Sequence, residues 1–483
     1  MLILQNISRI LWGPPLLILI LGTGIFFTVK LKFIQIRGLT KGFKFLFSQE
    51  ANEEGNGQIS PFKALCTSLA ATIGTGSVTG VATAVFAGGP GAIFWMSFAA
   101  FLGMAVKYSE CLLGVKFRRT LSDKTVMGGP FYYIEKGLGK AGKPLCFIFA
   151  SFGIGSALLG TGTMVQANAI TSAAQVLLQS NDKKIGIIAG ITTCILAGFV
   201  IIGGIKRIGN VSGVLVPIFA SLYVFICVFI IIVYYENLIP SILLIIKSAF
   251  NFKAVFGGTS GFIVYSSIRY GVSRGIFSNE AGIGSEPMAA AVAKTDSPAT
   301  QGLISMCGTF IDTIVICNLT GLVLIVTGSF QSGLDGTAMT SLAFEKGLFF
   351  FPVLGRIVLC LGLLFFAFTS IIGWCFYGQC CARFLGGNSL EKIYNYLYTA
   401  LIFVGCISSL ETVYLLADIC NALMSLPNLI GVLSLTKIIE RETKIWTYQT
   451  QKQTLQKDSL PKRLSKGFCK TVKTSSIRKK DTA

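Results

Sequence analysis

The sequence predicts an all-α polytopic membrane protein, on three observations: an apolar composition, apolar runs of spanning length, and positive charge confined to alternate connections. Of its 483 residues, 53% are hydrophobic and only 13% are charged, with a mean hydropathy of +0.71. A water-soluble core of this length cannot bury that much apolar surface, so lipid is the solvent. A helix rising about 1.5 Å per residue needs about 20 residues to cross about 30 Å of hydrocarbon. Runs of that kind recur along almost the whole length.

The first run, residues 12–30, carries no small-residue cleavage site behind it and reads as a retained span. Further spans are expected at 62–87, 90–115, 144–178, 185–204 and 211–235. After a surface segment at 238–256 come 261–284, 300–328, 352–379, 392–409 and 412–436, about eleven in all.

Charge placement tests that number. The net charge of +20 would suit nucleic acid if it were spread over a soluble surface, but here it is gathered in connections and in the C-terminal tail. Anionic lipid on the cytoplasmic face accounts for that pattern, and no nucleic-acid partner is expected. Lys30, Lys32, Arg37, Lys41 and Lys44 follow the first span. Lys116, Arg118, Arg119, Lys124, Lys136, Lys140 and Lys143 follow the third, Lys206 and Arg207 the fifth, Lys294 the seventh and Arg383 the ninth. The last span precedes Lys457, Lys462, Arg463, Lys466, Arg478, Lys479 and Lys480. With an odd number of spans all of these lie on one side, which places the N-terminus outside and the C-terminus in the cytoplasm. The expected organisation is a transmembrane domain over 1–436 and a basic tail over 437–483, which from about 440 is polar, lacks an apolar period and reads as disordered.

The chain contains no histidine, and its 14 cysteines mostly sit singly in apolar stretches without C-x-x-C spacing. They read as small buried residues, not as disulfides or metal ligands, and no cofactor is implied. No phosphate loop of the G-x-x-x-x-G-K type is present either. The sequence therefore argues against an enzyme, and the absence of a repeated pore motif argues against a channel.

Two spans differ chemically from the rest. In the second, Ala71-Thr72-Ile73-Gly74-Thr75-Gly76-Ser77-Val78-Thr79-Gly80 places three glycines and four hydroxyl residues in mid-membrane. Glycine weakens a helix, and hydroxyls offer its backbone other partners. The seventh carries Arg274-Gly275-Ile276-Phe277-Ser278-Asn279-Glu280-Ala281-Gly282. Each has an ordinary structural reading: the Gly76/Gly80 spacing as a close helix contact, and Arg274 with Glu280 as an ion pair that braces the bundle. Their appearance at corresponding places favours a site between broken helices, whose exposed N–H groups receive a carboxylate and whose free carbonyls hold a cation or an ammonium. Setting the first span aside, spans two to six and seven to eleven form two sets of five with opposite starting sides, as inverted repeats require. Gln166 with Asn168, Asp312 with Asn318, and Thr369 with Ser370 add hydrogen-bonding groups at mid-span, and Asp312 should face the bundle interior. Trp374, one turn beyond Ser370, offers a flat wall or simply packs.

At these residues the chain resembles the alanine or glycine:cation symporter family, the sodium:alanine symporters. The resemblance rests on Gly88-Gly89-Pro90-Gly91-Ala92-Ile93-Phe94-Trp95-Met96, Gly128-Gly129-Pro130-Phe131-Tyr132-Tyr133-Ile134-Glu135, Gly275 to Gly282, and Ala293-Lys294-Thr295-Asp296. It implies two inverted five-helix repeats with broken helices plus one extra N-terminal helix, working by alternating access in a bacterial-type inner membrane. It also implies Na+-coupled uptake of a small neutral amino acid, alanine or glycine. In the family pattern Thr75 and Gly76 meet the substrate carboxylate, Gln166 and Asn279 hold its amino group, and Phe277 and Trp374 complete the pocket. Ile73, Gly76, Thr369 and Ser370 surround the cation, and no other metal is implied. The chain departs from the family pattern at Ser77, where Asn is usual, at Thr79, where Ala is, and at Glu286, where a small residue is common. A second expectation keeps the fold but couples uptake to H+, with Asp312 or Glu280 as the carrier.

Overall fold

The computed structural model describes residues 2–47, 55–250, 260–408 and 410–458. Contacts divide the chain into two units, Met1–Thr436 and Lys437–Ala483. In the first, helices α1 (Leu2–Leu11), α2 (Pro14–Lys30) and α3 (Ile34–Leu46) precede the segment α4 (Pro61–Thr72), Gly76–Gly80 in π geometry, and α5 (Val81–Gly88). Then come α6 (Gly91–Lys116), a hairpin of β1 (Arg119–Thr120) and β2 (Val126–Met127), α7 (Pro130–Leu138), α8 (Lys143–Leu159) and α9 (Met164–Leu178). Helices α10 (Lys183–Ile202), α11 (Gly204–Val233), α12 (Tyr235–Ala249), α13 (Ser260–Asn279) and α14 (Glu286–Ala291) follow. The rest is α15 (Pro298–Thr309), a π segment Phe310–Cys317, α16 (Asn318–Val326), α17 (Gly336–Gly347), α18 (Pro352–Ile407) and α19 (Leu410–Ser434).

Helix starts follow local chemistry. The Ser60 hydroxyl accepts from the Lys63 N–H ahead of Pro61, and Ser297 accepts from Thr300 ahead of Pro298, so each side chain satisfies one orphan N–H of a first turn. Among the described residues eight helices are long and apolar enough to cross a membrane, or nine when the bent pair Pro61–Thr72 and Gly76–Gly88 counts as one span. The chain is thus an all-α polytopic membrane protein.

Burial orders these helices. The apolar window of α6 is 89% buried, whereas those of α10 and α11 are each 28% buried. Helix α6 forms the centre, with α13, α15, α2, α14 and α12 packed on it, while α9 and α10 lie on α18 and α19 lies on α8. Close approach needs small residues: a Cβ at Gly271 of α13 would sit 2.4 Å from the Ala92 carbonyl oxygen, and one at Gly114 of α6 would sit 2.7 Å from that of Pro287.

The structure refines four expectations. The run 144–178 is not one helix but breaks at residues 160–163 between α8 and α9. The cause is a Gly-Thr-Gly tripeptide at 160–162 that repeats the one at 74–76. The spans expected at 352–379 and 392–409 are two helices within α18 that meet at a kink, where Gly386 and Gly387 leave helical geometry; Gly387 has φ +66°, open to glycine at little cost; residue 409 lies outside the described residues. The surface segment 238–256 is helical through Ala249, and its remainder from 251 lies outside the described residues. In the second unit, the polar tail begins as a helix: α20 runs Thr436–Asp458, and residues beyond it lie outside the described set.

Candidate functional site

The broken second span builds the site. Helix α4 ends at Thr72, Ile73 is extended (φ −74°, ψ 91°), and the chain resumes at Gly76 with the axis turned by 53°. A cavity of about 710 Å3 reaches this break and is walled by Thr75, Gly76, Thr79, Arg274, Phe277 and Tyr414. Its exposed rim includes Gln179, Ser180, Asn181 and Asp335.

Gly76 serves two purposes. A Cβ there would lie 3.2 Å from Ser278 Cα and 3.4 Å from Phe277 Cδ1, so the broken span and α13 touch at this point, and the residue also lines the cavity. Gly80 has only its own Thr75 carbonyl near that position, at 3.7 Å. The close helix contact read from the Gly76/Gly80 spacing therefore holds at Gly76 alone.

Gln166 joins the two helix breaks. Its Nε2 donates to the Thr161 carbonyl at 3.1 Å, and its Oε1 lies 3.5 Å from the Thr75 N–H. Ser370 closes the far side: its hydroxyl donates to the Ala70 carbonyl at 2.9 Å, and a Cβ at Gly74 would fall 2.5 Å from Ser370 Oγ. Thr369 is turned the other way, donating to the Phe366 carbonyl of its own helix at 3.0 Å. Ile73, Thr75, Gly76, Gln166 and Ser370 are thus gathered at the first break, with Phe277 against Gly76.

Asn279 and Trp374 stand apart from the cavity wall. Asn279 donates through Nδ2 to Thr313 Oγ1 at 3.1 Å and accepts from the Ala281 N–H at 2.9 Å, closing the end of α13. Trp374 is fully buried, packs edge-on to Tyr377 with centroids 5.5 Å apart, and lies where Gly162 at the second break leaves room, 2.8 Å from the position of a Cβ. Asn168 donates to the Ser408 carbonyl at 2.5 Å, and Asn318 to those of Thr313 and Ile314.

Asp312 faces the interior, as its apolar surroundings require. Its carboxylate accepts from Ser77 at 2.5 Å, from Ser278 at 2.8 Å and from Thr313 at 2.7 Å, and Ser77 and Ser278 lie 3.0 Å apart. Three hydroxyls from three segments thereby tie the broken span, α13 and the π segment together. This is the role of Ser77, whose reach is short but sufficient here. Thr79 lies 3.3 Å from the Thr337 hydroxyl across the cavity.

The ion pair read as joining Arg274 to Glu280 does not form. Arg274 lies 3.5 Å from Asp418 of α19, and Glu280 accepts from the Ser285 hydroxyl. Helix α13 stops at Asn279 and Glu280 takes φ +57°, which swings its side chain off the face that carries Arg274. Two buried charged residues escaped the sequence reading altogether: Lys107 and Glu110 of α6, both 0% exposed. Charges three apart inside an apolar run were the available signal, since such residues in a span face the interior or a partner. Outside the spans, Asp123 of the β1–β2 turn accepts from the side chain and the N–H of Thr125 and pairs with Arg383. Those hydrogen bonds, chiefly from Thr125, hold its carboxyl down at about 2.

Comparison with known proteins agrees with this architecture. The profile of the sodium:alanine symporter family matches residues 1–460. The chain is 48% identical over 443 residues to an uncharacterized transporter of Haemophilus influenzae, covering 92% of this chain and 95% of that protein. It is 43% identical to the sodium/alanine symporter AgcS of Methanococcus maripaludis, covering 92% of this chain and 96% of the relative. It is 36% identical to the probable sodium/glutamine symporter GlnT of Bacillus subtilis, covering 92% of this chain and 90% of the relative. With near-complete coverage on both sides and a family match across the spans and both breaks, this chain belongs to the sodium:alanine symporter family, and it is a membrane transporter and not an enzyme.

Proposed function

We propose that the protein imports a small neutral amino acid, alanine or glycine, together with Na+ by alternating access. The observation that carries this reading is the break at residues 73–75, opened to a cavity of about 710 Å3 through Thr75 and Gly76. A broken helix offers N–H groups to a carboxylate and carbonyls to a cation in one place. Membership of the family and likeness to the Methanococcus sodium/alanine symporter support Na+ and an amino acid as the transported pair.

In this reading Thr75 and Gly76 receive the carboxylate, Gln166 and Asn279 the amino group, and Phe277 and Trp374 bound the pocket. Ile73, Gly76, Thr369 and Ser370 hold Na+. Gln166, Asn279 and Trp374 do not line the cavity here, so their contact with substrate depends on rearrangement at the break during alternating access. Two inverted sets of five helices after the first span form the moving parts, within residues 1–436. Eleven spans follow when α13 is counted and α18 is divided at Gly386 and Gly387. The basic side faces the cytoplasm of a bacterial-type inner membrane, with the N-terminus outside and the region 437–483 inside.

H+ coupling is the second reading, and Asp312 favours it: this buried carboxylate is held by hydroxyls, without a cation among its hydrogen-bonding partners. Uptake of labelled alanine, glycine and serine into proteoliposomes under an imposed Na+ or H+ gradient decides between them. Accumulation under Na+ alone supports the first reading; accumulation under a pH gradient without Na+ replaces it with the second.

A further inference from the structure

A second buried polar centre lies beside the transport pathway. Lys107 and Glu110 stand three residues apart on α6 and so share a face. Glu280 follows the end of α13, and Glu286 opens α14. All four are at most 2% exposed. Lys107 Nζ lies 3.0 Å from Glu286 Oε2. Asn428 of α19 donates to Glu110 Oε1 and, at 2.9 Å, to the Gly282 carbonyl, while its own oxygen accepts from the Tyr133 hydroxyl. Ser285 donates to Glu280 Oε2.

Each carboxyl group therefore has one oxygen engaged. The other oxygens, Glu110 Oε2, Glu280 Oε1 and Glu286 Oε1, are buried with no hydrogen-bond partner. The Tyr377 hydroxyl of α18, also buried, is within electrostatic reach of Glu280 and Glu286. Native interiors rarely leave so many polar atoms unsatisfied in one place.

Charge counting sharpens the problem. One ammonium stands against three carboxylates, so two negative charges have no counter-charge if all are ionised. The remaining titratable groups in reach, Cys111 of α6, Cys307 of α15, Tyr133 of α7 and Tyr377, supply no positive charge, and Asp312 adds a further acid. Uncompensated charge in a dry core is strongly disfavoured. Among the described residues, no three acidic, cysteine or histidine groups converge closely enough to hold a metal ion. A proton resolves the charge: two protons leave a single carboxylate to match the Lys107 ammonium.

We propose that Glu110 and Glu280, beside the Lys107–Glu286 ion pair, form a buried proton-binding site that holds protons on their unpartnered oxygens at neutral pH. A bound proton comes from water and adds to a carboxylate oxygen; its release restores both, with no other bond changed. Glu280 follows Asn279 directly, and Trp374 lies within its electrostatic reach, so the site adjoins two residues of the proposed substrate pathway. Protons held there answer to movement of that segment, whichever ion drives transport.

Infrared spectroscopy of the full chain in lipid, with isotope-labelled glutamate, tests this without relying on any variant. Exposed glutamates are ionised at neutral pH, so a protonated-carboxyl band that moves with the label arises from buried glutamate, and labelling separates it from Asp312. The expected result is such a band at neutral pH, unaffected by added Na+ and reduced in each of E110Q and E280Q. No label-sensitive band in the wild type overturns the proposal. A band that Na+ removes, or that survives undiminished in both variants, overturns it as well.

Discussion

Replacing Gln166 with Ala separates the two tasks given to this side chain. Gln166 is 2% exposed and spans both helix breaks, with Nε2 on the Thr161 carbonyl at 3.1 Å and Oε1 at 3.5 Å from the Thr75 N–H. Truncation leaves the Thr161 carbonyl without that donor in a dry interior, at a cost of about 1–3 kcal/mol. The Thr75 contact, at the long limit of hydrogen bonding, adds little. If the Gln166 carbonyl also accepts from the substrate ammonium, binding loses a further amount on the order of 1–3 kcal/mol, which is roughly 5- to 150-fold in Kd. Thermal unfolding without substrate reads the first loss, and calorimetric titration with alanine in saturating Na+ reads the second. Both should appear. A lowered Tm with an unchanged alanine Kd makes Gln166 a clamp between breaks and removes it from the substrate site; an unchanged Tm refutes the bridge itself.

Three other outcomes are expected. S370A should raise the Na+ concentration for half-maximal alanine uptake more than T369A does, because the Ser370 hydroxyl lies at the break whereas that of Thr369 is turned to Phe366; equal or absent effects place the cation elsewhere. G284A should lower Tm, since Gly284 has φ +87° and a Cβ would lie 2.7 Å from Asn428 Cγ. The left-handed backbone alone costs about 1–2 kcal/mol, and a Tm equal to wild type contradicts the packing described. Asp123 has a folded-state pKa of about 2 against an ordinary 3.8, so its stabilising contribution is present above the ordinary value and is lost as pH falls through 2. The difference in Tm between wild type and D123N should therefore shrink across that window, and a difference that stays constant through it rules out the Thr125 and Arg383 contacts as its source.

Composition and period determined much of this protein without tertiary help. Lipid demands that backbone groups be paired within a segment, so long apolar runs can only be helices, and the runs are visible in one dimension. The break at 73–75 was legible for the same reason: glycine and hydroxyl residues in mid-span have local conformational consequences. The matching Gly-Thr-Gly at 160–162 carried the same signal, and the run 144–178 masked it by being apolar on both sides. Partner choice was another matter. Arg274 and Glu280 sit six residues apart and look like a pair, yet the left-handed turn at Glu280 sends one to Ser285 and leaves the other to Asp418. Lys107 meets Glu286 at a separation of 179 residues (286 − 107), Glu110 meets Asn428 across 318, and Asp312 meets Ser77 across 235. Such contacts depend on how helices cross in space, which no local pattern encodes. The sequence by itself determined that this is a helical membrane transporter with a broken span; the tertiary structure alone decided which buried charges face one another, because in a low-dielectric interior that choice is made by packing between distant segments.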